Sequence, residues 1–536
     1  MTGGAFPLTT DLPVAIVGAG PVGLTTALAL SFYEIPFILL EANPSLSTET
    51  KAGTALTRTL EIWQRFGAAS AVLKKAMRVD EIGDVERATS QTRNTIKLHL
   101  LKDETRFPFV VNIPQYEMEP ALRDCLAASR HGRILYRHRL RSFTQDRDKV
   151  RLEVDTPDGS RRFEASYLLA CDGGRSTVRD QLGVPVEGRS LPERFSLVDL
   201  KVDLDIENPR DYPYLAYFSD AAEWMILVRQ PKCWRFLYPV FAGQKEYTID
   251  ELRQKAVHFI GDVKNVEVLG MNVFHIHHRV ARNWREGRVL LMGDAAHLIT
   301  PMWALGLNTG ILDANSLAWR VAWVLRGWAE DTLLNSYERE QKPVAERGSG
   351  EMAEAARAYM AKLAADVKAM STHAWGNAYT RSLLGVRLGL NEAGYWSMAK
   401  PFAEPPPVEI GDRAPDALVH DSNGRQVRLH DLFGGSFVAL HFTDTRRRPD
   451  LPECDAPWLT HYAVSRWDAP CDSPIRTRAL LDPGNRVRQR YGCAPDTMVL
   501  VRPDDHVAAI EPIGPGKAAT SYQAALADPR LETVPA

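Results

Sequence analysis

An α/β protein in three parts is what this chain predicts, and three observations predict it. Residues 14–41 run as an apolar stretch, a glycine-rich turn, a helical stretch and a second apolar stretch. Two later segments, 80–106 and 195–280, are dense in short runs of β-branched and aromatic residues. A proline-rich segment, 401–407, then sets off a last stretch of strands and turns. At 536 residues the chain exceeds what one core accommodates.

In order, Val14–Val17 reads as a strand, Val22–Tyr33 as a helix and Phe37–Leu40 as a second strand, followed by Glu41: a βαβ unit. Leu197–Val202 and Trp224–Arg229 typify the strand-rich segments, which form a second domain of largely antiparallel sheet lying across the first. From Gly310 to Arg326 the period turns helical, with Ile311, Ala314, Leu317, Ala318, Val321 and Val324 on one face, and the Ala-rich Glu351–Met370 continues as helix. Pro401–Pro407 reads as a stiff polyproline-type linker. Val427–Leu432, Phe437–Phe442, Ala479–Leu481 and Met498–Val501 read as strands of a small α/β unit. The expected parts are 1–79, 107–194 and 281–400 for the first domain, 80–106 and 195–280 for the sheet domain, 401–407 for the linker and 408–536 for the last unit.

Composition narrows the class. Hydrophobic content of 45% and charged content of 25% are those of an ordinary soluble protein, and a net charge of −2 offers no general attraction to nucleic acid or anionic membranes. Six scattered cysteines with no CxxC suit free thiols in a reducing compartment. The apolar stretch Leu12–Leu40 has no basic leader and is broken by glycines, Ser31, Tyr33 and Glu34, so a cytoplasmic enzyme without a membrane segment is expected. His275, His277 and His278 lack a third ligand pattern and read as satisfied strand histidines; no metal is expected.

Chemistry concentrates in three motifs. Gly18, Gly20 and Gly23, with Pro21 and Val22 between them, sit between strand and helix, and Glu41 lies 23 positions past Gly18. Such a turn admits a pyrophosphate at a helix N-terminus, and Glu41 accepts from ribose hydroxyls while repelling a 2′-phosphate. That leaves NAD or FAD. The second motif, Met292-Gly293-Asp294-Ala295-Ala296-His297, ends another apolar strand. Its glycine admits a cofactor chain and Asp294 accepts from ribityl hydroxyls, with a helix beginning near Gly310 aimed at a flavin ring. Together the two say FAD. The third motif, Cys171-Asp172-Gly173-Gly174-Arg175-Ser176-Thr177-Val178-Arg179, follows the strand Tyr167–Ala170; Arg175 and Arg179 are either diphosphate ligands or a solvated helix start.

In this order and spacing the motifs resemble those of the class A flavoprotein monooxygenases, the aromatic hydroxylases related to p-hydroxybenzoate hydroxylase. The resemblance covers most of residues 12–345 and includes Arg58-Thr59-Leu60-Glu61, Gln115 with Glu119, and Leu333–Glu340. It implies that Asp172 and Arg175 serve FAD and NAD(P)H together, that Asp294 holds the ribityl chain, and that Arg58 and Gln115 contact the flavin. Where the family commonly shows Gly-Gln-Gly and an Asn one residue further on, this chain has Ala304-Leu305-Gly306-Leu307-Asn308. Gly306, Leu307 and Asn308 are still expected at the flavin. After residue 408, Gly411–Asp416, Leu429–Leu432 with Gly434, and Leu500–Asp504 resemble the thioredoxin-like C-terminal domain of the phenol hydroxylase branch, here without a CxxC and so with a structural or dimer-supporting role.

The implied reaction is hydroxylation of a small phenolic ring. NADPH or NADH reduces the flavin, O2 adds at its C4a position, and the hydroperoxide delivers OH to an electron-rich carbon. Pro301 and Trp303 are the candidates on the flavin side, and Tyr217, Trp224, Arg229 and Tyr238 the candidates on the sheet, Arg229 for a carboxylate or phenolate. Two alternatives remain: a Baeyer–Villiger oxygenase or epoxidase on a larger polyketide-like substrate, and a non-catalytic flavin-binding protein. A homodimer fits the helical segment and the C-terminal domain.

Overall fold

The computed structural model describes residues 7–48, 53–204, 212–261, 263, 265–361, 407–443, 456–466 and 478–527. The end of the expected helix Glu351–Met370 and all of the linker before Pro407 lie outside them.

The first unit is built on a six-stranded sheet in the order Arg285–Glu286, Val289–Leu291, Leu168–Ala170, Val14–Val17, Phe37–Glu41 and Gly132–Tyr136. All neighbours run parallel except the first pair. Val14–Val17, Leu168–Ala170 and Val289–Leu291 are buried on both faces, which is why they read as unbroken apolar runs. Register is what matters for function. Val17 pairs with Ala170 and Ala170 with Leu291, so three chain segments more than 100 residues apart leave the sheet at the same edge, side by side. Helices Pro21–Phe32 and Leu305–Leu325 pack beside it, the latter five residues longer at its start than the apolar period predicted. A three-stranded antiparallel sheet, Arg139–Gln145, Val150–Thr156 and Gly159–Ala165, is a feature of this unit that the sequence reading did not separate.

The second sheet has eight strands in the order His297–Leu298, Glu267–Ala281, Val186–Lys201, Cys233–Val240, Met225–Gln230, Leu215–Ser219, Glu81–Glu86 and Gln91–Lys97. It is antiparallel except where Leu215–Ser219 meets Glu81–Glu86, a pairing made by a long connection that no hairpin orients. The boundary expected at 194/195 falls inside Val186–Lys201, a single strand that starts beside the first unit and continues into the sheet. Alternation along Met225–Gln230 sends Ile226 and Val228 to one face, with Phe195, Tyr217 and Trp224, and Met225 and Leu227 to the other, with Phe236 and Tyr238. Helix Ile249–Ile260 covers the second face through Leu252, Ala256 and Ile260. Its signal lay in the sequence: Thr248 and Glu251 form a reciprocal N-terminal cap, and the three apolar residues recur every four positions.

The last unit is a seven-stranded mixed sheet in the order Gln426–Arg428, Leu418–His420, Arg478–Leu481, Leu459–Ser465, Phe437–Thr443, Thr497–Val501 and Val507–Pro512. The strand expected over Val427–Leu432 stops at Arg428. Leu429–Asp431 turns as a short 3-10 helix, because Leu429 N–H donates to Ala417 O and His430 N–H to Asp416 Oδ1.

Candidate cofactor and substrate site

The three motifs open directly after the three neighbouring strands, at their carboxyl ends, where open α/β sheets bind ligands. Gly18 has φ +100°, and a Cβ there would sit 2.3 Å from Cys171 O, so the first and third motifs touch backbone to backbone. Gly20 is different. Its φ is −70° and a Cβ would meet nothing within 4 Å, so no protein atom requires glycine there. The clear space lies at the start of helix Pro21–Phe32, whose N-terminus no side chain caps and whose first turn carries no acid. Uncapped amides facing open space suit a pyrophosphate. Glu41 ends the adjacent strand; its Oε2 accepts from Ala19 N at 2.9 Å and its Oε1 from Asn43 N at 2.9 Å, which fixes the carboxylate at the rim.

Around the third motif, burial pushes the Asp172 carboxyl up, opposed by donors from Ser176 and the following backbone. Oδ2 accepts from Val178 N at 3.1 Å, and Oδ1 is buried without a protein partner. Of the two arginines, Arg175 is exposed and Arg179 is buried. Arg179 donates to Ala295 O (3.1 Å) and Gly174 O (2.9 Å), tying the second motif to the third rather than reaching out for phosphate.

In the second motif Asp294 is exposed at the mouth. The residue the sequence reading missed is Asp313, on helix Leu305–Leu325. Fully buried, its Oδ2 accepts from Gly293 N at 2.8 Å and pairs with His297 Nε2 at 2.8 Å, so His297 has a structural partner. An acid amid the apolar face of a helix was its only trace in the sequence. Gln115, at the start of helix Gln115–Leu126, donates to Glu119 Oε1 at 2.6 Å.

Helix Leu305–Leu325 begins abruptly. Trp303 (φ 61°, ψ 13°) and Ala304 (φ 58°, ψ 28°) are consecutive left-handed residues, each strained by about 1–3 kcal/mol. Ala304 stands where the family shows glycine, which this backbone explains. Gly306 and Leu307 fill the first turn, and Asn308 locks it: Oδ1 accepts from Leu56 N (2.9 Å) and Thr59 Oγ1 (2.6 Å), while Nδ2 donates to Thr54 O (3.1 Å) and Ala304 O (2.6 Å). Pro301 and Met302 lead into the bend, which buries the Trp303 indole against Tyr217 with ring centroids 4.3 Å apart. Burial raises the Tyr217 pKa, and a hydrogen bond from the Trp303 backbone offsets part of that rise. Trp224 joins the same apolar compartment, 5.0 Å from the Phe195 ring.

The other two sheet candidates do not reach it. Tyr238 faces the opposite side under helix Ile249–Ile260, with Lys255 Nζ 5.4 Å from its ring. Arg229 follows the same alternation; it lies 5.6 Å from the Trp234 ring and donates to Gln230 O and Cys233 O, closing its own hairpin. Arg58, expected at the flavin, has its terminal nitrogens engaged on the other side of its helix. Its Nη1 donates to Asp505 Oδ2 (2.9 Å) and Glu61 (3.1 Å) and its Nη2 to Asp504 O (2.9 Å), so the guanidinium belongs to the joint with the C-terminal unit. Three polar residues were missed on the compartment side of the sheet. Arg235 makes a buried two-pronged pair with Asp199 (2.9 and 3.1 Å), and Gln230 Nε2 reaches Gly53 O at 3.3 Å, stitching the sheet to the first unit. Among the described residues no cluster suits a metal ion, and no helix is long and apolar enough to cross a membrane.

Residues 11–349 match the FAD binding domain family. The chain is 28% identical over 337 residues to a para-nitrophenol 4-monooxygenase of Pseudomonas sp. (strain WBC-3), covering 62% of this chain and 83% of that one. A 3-(3-hydroxy-phenyl)propionate/3-hydroxycinnamic acid hydroxylase of Escherichia coli O8 (strain IAI1) is 31% identical over 343 residues, covering 62% of this chain and 59% of its own length. Among solved structures, aklavinone-11 hydroxylase in complex with FAD and aklavinone superposes with a TM-score of 0.78 at 26% identity, over 96% of this chain and 98% of that one. The p-nitrophenol 4-monooxygenase of Pseudomonas putida DLL-E4 gives 0.63 at 25% identity, over 70% and 96%. With its glycine motifs, strand order and neighbours in agreement, the chain belongs to the FAD binding domain family, in the class A flavoprotein monooxygenase group.

Proposed function

We propose that the protein is a single-component FAD-dependent monooxygenase that uses NAD(P)H and O2 to hydroxylate a phenolic ring. One observation carries the reading: three cofactor motifs converge at one sheet edge, and the helix leaving the second motif starts at a closed aromatic compartment. Gly18, Gly20, Pro21, Val22, Gly23 and Glu41 would hold the ADP half, Asp172 and Arg175 the diphosphate region, Gln115 and Gly293 through Asp294 the flavin side, and Gly306, Leu307 and Asn308 the ring. The orphaned Asp172 Oδ1 and the clear space at Gly20 support that placement.

FAD, when bound, supplies electron storage and oxygen activation. The net reaction converts a phenol, O2, NAD(P)H and a proton to a dihydroxy product, water and NAD(P)+, and the flavin-mediated route of oxygen transfer belongs to the same proposal. The chain's share is positioning and dryness. Trp303 and Tyr217 present stacking faces, and Phe195, Trp224, Ile226 and Met302 exclude water. Tyr217 keeps its proton at neutral pH because burial raises its pKa, so it serves the substrate oxygen as a donor and not as a base. Pro301 holds the entry to the strained bend.

A larger, polycyclic phenol is the second reading. It is favoured by the neighbour whose likeness spans 96% of this chain against 70% for the nitrophenol enzyme. The test is NADH and NADPH oxidation by the FAD-loaded protein with a panel of simple and polycyclic phenols, and mass spectrometry of the products. A phenol that accelerates oxidation and returns one oxygen heavier as a catechol or quinol supports hydroxylation. Oxygen inserted into a ring points instead to Baeyer–Villiger chemistry. No response to any aromatic in FAD-loaded protein overturns the monooxygenase reading.

A further inference from the structure

The turn that joins strands Thr497–Val501 and Val507–Pro512 of the C-terminal unit is buried against the first unit, and both of its acids are paired there. Asp505 is 0% exposed and has φ +67°, a conformation that glycine or asparagine adopts more readily than aspartate. Its Oδ2 accepts from Arg58 Nη1 (2.9 Å) and from Arg65 Nη2, both on helix Thr57–Arg65. Asp504 turns to the other helix: its Oδ2 accepts from Trp319 Nε1 at 2.9 Å, and its carbonyl takes both Arg58 Nη2 (2.9 Å) and Asn315 Nδ2 (3.3 Å). Arg65 Nη1 closes the ring on Asn315 Oδ1 at 2.8 Å.

The same two helices meet again at Asn308. Thr59, next in sequence to Arg58, donates to Asn308 Oδ1 at 2.6 Å, and the Leu56 amide, just before the helix, donates to it at 2.9 Å. Asn308 in turn holds the carbonyl of Ala304 at 2.6 Å, at the strained start of helix Leu305–Leu325. Asn315 and Trp319 lie 7 and 11 residues beyond Asn308, about 10 and 16 Å along the axis at 1.5 Å per residue. The turn is therefore linked to Asn308 through both helices.

We propose that Asp504 and Asp505 are positioning residues for the flavin site, holding the helix pair that frames its ring end; this rests on the flavin reading of Gly306–Asn308. A small rotation between the helices would shift the Ala304–Leu307 backbone, and errors of that scale cost binding and coupling. The test compares full-length D505N, W319F and D431N. Asparagine suits the left-handed backbone at 505, W319F deletes the hydrogen bond to Asp504 while keeping an aromatic ring against Trp323 and Phe437 in place of the larger indole, and Asp431 joins the tail to Arg106 through an exposed pair that touches neither helix. The readouts are the FAD dissociation constant, the absorption spectrum of bound flavin and the fraction of NAD(P)H turnover released as hydrogen peroxide. D505N should weaken FAD about tenfold and W319F about threefold, both with more peroxide and an altered spectrum, while D431N stays within about twofold of the parent. If D505N does not fold, W319F decides. Lower melting temperatures with unchanged FAD affinity and spectrum would overturn the proposal and leave the tail merely stabilising. A parent protein that fails to bind FAD would instead overturn the flavin reading itself.

Discussion

The first unit has two seams, and one of them adds a buried charge network that the other does not have at its centre. Toward the eight-stranded sheet it presents Met302, Trp303 and Leu305 to Phe195, Tyr217, Trp224 and Ile226, an apolar and aromatic joint. Toward the C-terminal unit it presents an aromatic patch, Trp319 and Trp323 against Phe437, and beside it buried charge. Glu61 accepts from Arg413 Nη2 (2.5 Å) and Arg58 (3.1 Å), Glu340 accepts from Arg502 (2.8 and 2.9 Å) and Arg320, and Asp504 and Asp505 fill the centre. Apolar contact is non-directional and tolerates a guest between the surfaces. A charged, hydrogen-bonded network has one geometry and is penalised for any other. Under the proposed function, the joint that admits a substrate and the joint that holds still are thus built from different residues.

The largest effect should come from unbalancing the charged seam. Glu340→Gln removes the charge that faces Arg320 and Arg502 and leaves both buried guanidiniums to share Asp504, a change worth about 1–3 kcal/mol. Urea unfolding should show it, and an equivalent loss from a single-methylene change in the apolar compartment would break the contrast between the seams.

Acid should part the seams next. Burial pushes the Glu61 carboxyl up, but Arg413, His430 and Arg58 outweigh it and hold its pKa at about 2, below the ordinary 4.5. Asp504, Asp505 and Glu340 are also depressed, burial being overcome in each by neighbouring arginines. Folded-state values below those of the unfolded chain mean that this stabilisation is complete above about pH 4.5 and is lost as pH falls toward 2. Hydrogen exchange measured down that range should show Val501–Val507 and helix Thr57–Arg65 opening before Leu215–Ser219 and Met225–Gln230. Simultaneous opening would mean that the tail joint is not held by its carboxylates.

How much of this was legible follows from the range of each contact. The glycine motifs were readable because each needs only the strand before it and the helix after it, and Asp172 and Gly293 came with them. Asp313 was not, because its partner Gly293 lies 20 residues away across a strand-to-helix crossing. Arg58 was singled out through the family resemblance, yet its guanidinium is claimed by Asp505, 447 residues later, and nothing local announces that. Tyr238 and Trp224 look alike in sequence; only the cover of helix Ile249–Ile260 over one face tells them apart, and its cap at Thr248 was overlooked.

That parity can be tested directly. Tyr217→Phe removes a donor inside the compartment and should raise KM for the accepted phenol about tenfold, the worth of one buried hydrogen bond. Tyr238→Phe removes a hydroxyl that is buried without a partner on the helix-covered face, so KM should stay within about twofold and stability should hold or rise. Equal effects on KM would put both tyrosines on the substrate side and undo the assignment of the two faces.

The smallest effect tests the bend itself. At φ 58° and ψ 28°, Ala304 is held in a conformation that costs an L-residue about 1–2 kcal/mol and glycine almost nothing. Against that, glycine loses about 0.5–1 kcal/mol more chain entropy on folding. Ala304→Gly should therefore stabilise the protein by about 0.5–1 kcal/mol, although it removes a half-buried methyl group. A destabilised variant would mean that the Ala304 side chain contributes packing worth more than its strain. A stabilised one with poorer coupling of NAD(P)H oxidation to hydroxylation would locate a function in the strain, since the relaxed bend would no longer hold Trp303 against Tyr217 so firmly.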